Sequence, residues 1–277
     1  MEIKEETELI SKLKNRVHSS GGKLLNAYIS GSHLYGWESE DSDVDIRGCY
    51  ILRKENFLGL NKPKEVIEIK TEDNKDIVLF EIAKLISLAL KGNCNILEEI
   101  NSPQFYKNAD FVKLKQLINN AIGKKGLYNK NADFIKLKQL INNALGKKGI
   151  YNSYRGLAEF NYKRFILRGK NTIKKYLYVF RGLMAGIYCL QTGLIKPNIE
   201  ELNKYFKIKE VNKLLEIKRK GLENEPLKDL EEGKLDLIIK NLFDKIDEAY
   251  LKCKMPEIPT PEEIEEINKF LIKLRLE

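Results

Sequence analysis

The chain has 277 residues, enough to bury one large core or two smaller ones, and its 43% hydrophobic content argues against disorder. Cys49, Cys94, Cys189 and Cys253 are far apart and form no C-x-x-C pair, which excludes a disulfide framework or a zinc site as the first expectation and favours free thiols in a reducing cytoplasm. The net charge of +9 is unevenly spread: Lys107 to Gly182 holds 18 Lys or Arg against three acids, a local balance of +15, so the remainder of the chain is acidic at −6.

The opening "MEIKEETELI" lacks a basic region followed by an apolar one, so it does not read as a secretory signal. Leu9, Ile10, Leu13 and Val17 fall at helical spacing, and Ser19-Ser20-Gly21-Gly22 stops that helix. "LLNAYIS" reads as a short buried strand that delivers the chain to Gly31. "VDIRGCYIL" alternates and is β-rich, and "EVIEIK" and "DIVLF" flank "TEDNK" as a hairpin or two adjacent strands. A helix is predicted at about 81 to 91, closed by Gly92-Asn93.

A tandem duplication follows. "NADFVKLKQLINNAIGKKGLYNK" (108–130) is succeeded by "NADFIKLKQLINNALGKKGIYNS" (131–153), and each copy predicts one helix ended by Gly-Lys-Lys-Gly. Two copies are too few for a solenoid, so a helical insertion is expected instead. From Tyr154 onward the pattern is helical, and Thr260, Pro261 and Glu263 predict a capping box at the start of the last helix. "YLYVFRGLMAGIYCL" is too short to span a membrane and carries Arg181, so it reads as a buried helix and no membrane partner is expected.

The expectation is therefore an α+β fold, with a small mixed-sheet domain followed by an α-helical one. Its divisions are 1–100 for the sheet domain, 101–155 for the duplicated helical connector and 156–277 for the helical C-terminal domain.

The stretch "GSHLYGWESEDSDVDIRG" carries the chemistry. On a strand, residues two apart share a face, so Asp43 and Asp45 would present their carboxylates together while Val44 and Ile46 face the core. Such a pair suits a hard cation such as Mg²⁺, shared between carboxylates and substrate phosphates. Gly31 lets the backbone approach a ligand closely, and Ser32 offers a hydroxyl where free N–H groups open a short helix. The acids between, Glu38, Glu40 and Asp41, read as solvated loop.

These residues resemble the GS and D-x-D signature of the DNA polymerase β-type nucleotidyltransferase superfamily. "AKLISLALKGNCNILEEINSP", "YNSYRGLAEFNYKR" and "KKYLYVFRGLMAGIYCLQTG" are similar to the YcgL-like, RNA-ligase-associated predicted nucleotidyltransferases. Tyr178 stands where many of those relatives have a histidine. The resemblance implies that Gly31 and Ser32 hold nucleotide phosphates, that Asp43 and Asp45 hold Mg²⁺, and that a third carboxylate lies on a neighbouring strand. Asp76 fits that position, with Glu68 as the alternative. It further implies two metals, with Mn²⁺ as a possible substitute, that activate a hydroxyl and stabilise the leaving pyrophosphate of an NTP.

Lys174, Lys175 and Arg181 are the candidates to neutralise the triphosphate. His33 could contact the nucleotide, whereas Tyr35 and Trp37 could stack on a base or simply pack. Tyr128, Tyr151, Tyr154, Phe160, Tyr162 and Phe165 interleave the charges of the basic segment, as a nucleic-acid acceptor, RNA in particular, would require. The same pattern arises when an amphipathic helix sends lysines out and aromatics in. The alternatives to transfer onto a nucleic-acid end are transfer to a protein hydroxyl and a silent nucleic-acid-binding adaptor.

Overall fold

The structure, a computed structural model, describes residues 3–39, 42–58, 60, 62–71, 75–102, 104–106, 130–169, 172–220 and 232–276. Residues 108–129, nearly all of the first repeat copy with its expected helix, lie outside the described residues, as do Glu40 and Asp41.

Helix α1 (Ile3–Ser19) runs into strand β1 (Gly22–Ile29), and the five-residue helix α2 (Gly31–Tyr35) follows. Strands β2 (Asp45–Leu52), β3 (Val66–Lys70) and β4 (Asp76–Glu81) lead to α3 (Ile82–Leu90), α4 (Cys94–Asn101) and a short β5 (Gln104–Tyr106). The sheet order is β3-β4-β2-β1-β5. β1–β2, β1–β5 and β3–β4 pair antiparallel, whereas β2 and β4 run parallel, so the sheet is mixed as expected.

Alternation along β2 and β4 buries Ile46, Ile77 and Leu79 on one face, against Leu9, Leu13 and Val17 of α1. The opposite face joins a second core that runs without interruption through α3 and α4 into the helical part of the chain. That part comprises α5 (Lys130–Asn143), α6 (Lys147–Asn161), α7 (Ile173–Thr192), α8 (Ile199–Phe206), α9 (Lys209–Arg219), α10 (Glu232–Lys252) and α11 (Pro261–Leu276). The α+β architecture with a helical remainder matches the sequence expectation.

In the second repeat copy the helix α5 stops at Asn143, before Gly-Lys-Lys-Gly, and that motif opens the next helix instead of closing this one. Gly146 precedes α6, and Lys147, Lys148 and Gly149 already belong to it. Tertiary contact overrides the local signal here: a Cβ on Gly149 would meet the Lys91 carbonyl, and one on Gly92, at φ +75°, would overlap the Gly149 backbone. The glycines let the α3–α4 turn pack on the start of α6. At α11 the capping box is present, with Glu263 N donating to Thr260 Oγ1 at 3.2 Å and Thr260 N to Glu263 Oε2 at 2.8 Å.

α7 is the central helix, buried on nearly every face. Its single buried charge, Arg181, donates from NH1 to both Glu98 oxygens of α4 at 2.5 and 2.6 Å. The guanidinium lies 3.7 Å from the centre of the Tyr35 ring at the end of α2. One side chain thus ties three elements together. Burial pushes the Glu98 carboxyl up and Arg181 pulls it back.

Removing one member of such a pair leaves an uncompensated buried charge, so Arg181→Met is expected to cost about 3–5 kcal/mol. The double variant Arg181→Met, Glu98→Leu should recover most of that loss in urea denaturation, and failure to recover would mean the pair acts through more than its charges.

Candidate active site

The chain leaves β1 through Ser30, whose N–H donates to the Asp45 carbonyl at 2.8 Å, and turns at Gly31 with φ +64°. A Cβ at Gly31 would overlap Asp45 Oδ2, so only glycine lets the turn lie against that carboxylate. Gly36 N and Trp37 N both donate to the Ser32 carbonyl, at 3.0 and 3.2 Å, which closes α2 and leaves the Ser32 side chain half-buried.

Asp45 is the first residue of β2 and Asp76 the first of β4, and the parallel register sets them directly opposite one another. Like charges so placed repel. Arg47, on the same face two residues on, compensates: its NH2 lies 3.3 Å from Asp45 Oδ1 and 3.1 Å from Asp76 Oδ2, and NH1 donates to the Asp76 carbonyl at 2.8 Å. Arg47 Nε is also 3.8 Å from Glu99 Oε1 of α4. Burial raises the Asp45 carboxyl above its ordinary range, Arg47 pulls it down, and the charges of Asp76 and Asp43 push it up again.

Glu99, which accepts a hydrogen bond from Tyr28 Oη at 3.2 Å, is raised by burial to about 7, against the pull of Arg47. Asp43 stands just before the strand and is exposed, so the two aspartates are not both strand residues as expected. Glu68 is exposed on β3, opposite Val78. Among the described residues no group of three His, Cys, Asp or Glu side chains is already gathered as a metal site.

The cationic candidates separate. Arg181 is fully buried on Glu98 and Tyr35, so it is not presented to a phosphate as the sequence suggested; an arginine in an apolar helix must find a carboxylate, and Glu98 supplies it. Lys174 and Lys175 are half-buried in the first turn of α7, and Lys175 Nζ sits 3.9 Å from the centre of the Phe165 ring. His33 Nε2 is buried with no hydrogen-bond partner among the described residues. Trp37 is completely buried and packs edge-on with Tyr178 at 5.1 Å, so it cannot stack on a base.

Sequence reasoning missed Arg47, Glu99 and Lys218. The first was accessible, because period two puts Arg47 on the face of Asp45. Lys218 of α9, buried, donates to Ser39 Oγ at 2.7 Å, and its neighbour Arg219 donates to the Gly36 carbonyl at 3.2 Å. α9 therefore pins the loop that joins the Gly-Ser turn to the carboxylates, a contact no local pattern could announce.

Nucleotidyltransferases of the DNA polymerase β type are built on this pairing of a Gly-Ser turn with strand carboxylates, and the chain is one of them. More narrowly, it belongs to the RNA repair pathway DNA polymerase beta family, whose model matches residues 5–135 and 127–273, two stretches that overlap within the repeated region. It is 28% identical over 273 residues to the uncharacterised protein YcgL of Bacillus subtilis, covering 95% of this chain and 94% of that one. It is also 32% identical over 175 residues to an uncharacterised protein of Methanocaldococcus jannaschii, covering 61% of each. A solved nucleotidyltransferase-like protein from Exiguobacterium sibiricum aligns over 97% of this chain and 79% of its own, at 11% identity and a TM-score of 0.25.

Gly31→Ala should destabilise the protein by about 1–2 kcal/mol from the left-handed backbone alone, and by more from the displaced Asp45, as measured in urea. Glu99 makes stability depend on pH. Its folded value lies near 7 and its ordinary value at 4.5, so folding holds the proton more tightly and stability falls as pH rises through that window. Wild type should lose about 3 kcal/mol relative to Glu99→Gln between pH 4.5 and 7.5, at about 1.4 kcal/mol per unit. Parallel stability–pH curves for the two proteins would contradict this.

Proposed function

We propose that the protein transfers a nucleoside monophosphate from an NTP to a hydroxyl acceptor, an RNA end, in a reaction that depends on Mg²⁺ or Mn²⁺. The observation that carries this reading is the Asp45–Asp76 pair, held in register at the N-terminal ends of two central strands with the Gly31 turn lying against Asp45. The donor set is all oxygen, which suits a hard cation. A cationic group, the Arg47 guanidinium, already lies between the two carboxylates, and burial, with the charges of Asp76 and Asp43 added to it, keeps the Asp45 carboxyl raised despite it. Residues Asp43, Asp45 and Asp76 would hold the metal. When bound, it supplies charge stabilisation for the attacking hydroxyl and the leaving pyrophosphate.

The remaining chemistry falls to the chain. The Gly31-Ser32 turn would take the phosphate oxygens, and glycine at 31 keeps that turn against Asp45, because a Cβ there would overlap the Asp45 carboxylate. His33, half-buried and close enough to Asp45 to act on its charge, is the further candidate for a nucleotide contact. Asp76 would accept the proton of the acceptor hydroxyl, and Lys174, in the first turn of α7, would add positive charge. An RNA acceptor is supported by the RNA repair pathway named for the family and by the +15 balance of residues 107–182.

The test is incorporation of label from each radioactive NTP into RNA, DNA or protein, with Mg²⁺ present. Wild type should label RNA, EDTA should abolish the reaction and Mn²⁺ restore it. Asp43→Asn with Asp45→Asn, or Asp76→Asn alone, should lower the rate by at least about 10²-fold, the scale for losing a group that stabilises transition-state charge. Label that resists nuclease but not protease would replace the RNA acceptor with a protein one. Equal incorporation by wild type and the double variant would refute the site.

A further inference from the structure

We propose that the outer surface made by the end of α6, the π-helical turn Tyr162–Ile166 and the first turn of α7 is a track for a single-stranded nucleic acid. Its role as the acceptor track rests on the transferase reading above; its binding does not.

The surface interleaves rings with cations. Phe160 is 52% exposed, and it meets Phe165 edge-on at 6.4 Å. The Arg164 guanidinium lies 5.1 Å from the Phe160 ring centre and 5.6 Å from that of Phe165, while Lys175 Nζ covers Phe165 from the other helix. Arg168, four residues beyond Arg164, is exposed. These are planar stacking surfaces of base size with cations set between them, the combination that holds unpaired strands without regard to sequence. A π turn is itself a costly irregularity that recurs at functional positions.

The acids of this surface are engaged elsewhere. Glu159 is taken by Lys163 and Arg155, and Asp236 accepts from Tyr176 Oη at 3.4 Å. Among the described residues neither Arg164, Arg168 nor Lys175 has a carboxylate partner. Burial and the charges of Lys174 and Arg164 together lower the Lys175 ammonium from its ordinary value, the sign of a positive cluster that an anion would relieve. A phosphodiester chain supplies anions at repeated spacing, and its bases supply flat faces for Phe160 and Arg164.

Position supports the assignment. Lys175 lies three residues, about 4.5 Å along the axis, from Tyr178 of the same helix. The Tyr178 ring packs on Trp37 at 5.1 Å and Tyr35 at 6.2 Å, and Tyr35 ends the helix that Gly31 begins. The surface and the aromatic backing of the Gly-Ser turn therefore share the N-terminal part of α7.

The experiment is fluorescence anisotropy of a labelled twelve-nucleotide single-stranded RNA, and of its DNA counterpart, with the full chain and without NTP or metal, across 50 to 200 mM salt. Arg164→Glu with Arg168→Glu should weaken binding at least about tenfold and reduce the salt slope by about 1.4, two phosphate contacts at about 0.7 each. Phe160→Ala should weaken binding about tenfold with little change in slope, and Phe160→Tyr should restore it. Melting curves of each variant exclude unfolding as the cause.

Comparing the two strands tells RNA from DNA preference, and binding to either supports the track. The proposal is overturned if the variants bind as wild type does, or if a duplex of equal length binds as tightly and loses nothing in the variants. It is also overturned if neither strand binds while phosphatidylserine vesicles do. Because no nucleotide is present, a failed transfer assay would leave these outcomes unchanged.

Discussion

The parallel pairing of β2 with β4 is the constraint on which the site depends. A parallel neighbour cannot be reached by a tight turn. The chain therefore passes out through β3 and returns antiparallel to it before β4 slots between β3 and β2. That detour sets Asp76 opposite Asp45 rather than one residue off, where its side chain would face α1. The register brings two carboxylates together at an energetic cost, and Arg47 offsets it from the same face. The arrangement is held from behind by Glu99, whose own burial is tolerated because Tyr28 donates to it and Arg47 lies near.

The helical part is not an appendage to this sheet. α4 carries Glu98 and Glu99 side by side, and they serve opposite directions: Glu99 reaches Arg47 under the carboxylates, and Glu98 reaches Arg181 in the centre of α7. Arg181 in turn lies on Tyr35 at the end of α2. The Gly-Ser turn and the carboxylate strand are therefore referenced to the same short helix by two neighbouring acids. α9 adds a third anchor through Lys218 and Arg219, which fix the loop between the two halves. Preorganisation of this kind matters for a reaction in which the protein's contribution is positioning and charge.

This division explains what could be read from the sequence. Features governed by local periodicity were legible: the alternation of β2 and β4, the helical spacing of α1 and α7, and the capping box at Thr260 and Glu263. So was the Gly-Ser turn, because a glycine before a short helix has a backbone reason to be there. What required a partner from elsewhere was not. Arg181 looked available to a phosphate because its helix is apolar, yet the same apolarity forces it onto Glu98. Gly-Lys-Lys-Gly looked like a helix stop, yet Gly149 serves the close approach of Lys91 and Gly92 within α6.

The duplication can be placed in the same terms. The second copy supplies α5 and the beginning of α6, and its apolar residues Leu137, Leu140, Ile141, Ala144 and Leu145 enter the core shared with α3 and α4. It is therefore integral to the packing rather than a looped-out spacer. Ile150 and Tyr154, one turn apart on α6, continue that face toward Glu98 and Arg181. The copy that packs here thus ends against the pair that orients α2, and the exposed Phe160 and Arg164 follow directly on the same rod. A helix fixed at its start by the Gly92 contact and at its middle by the buried pair holds its outer end in a set position relative to the core.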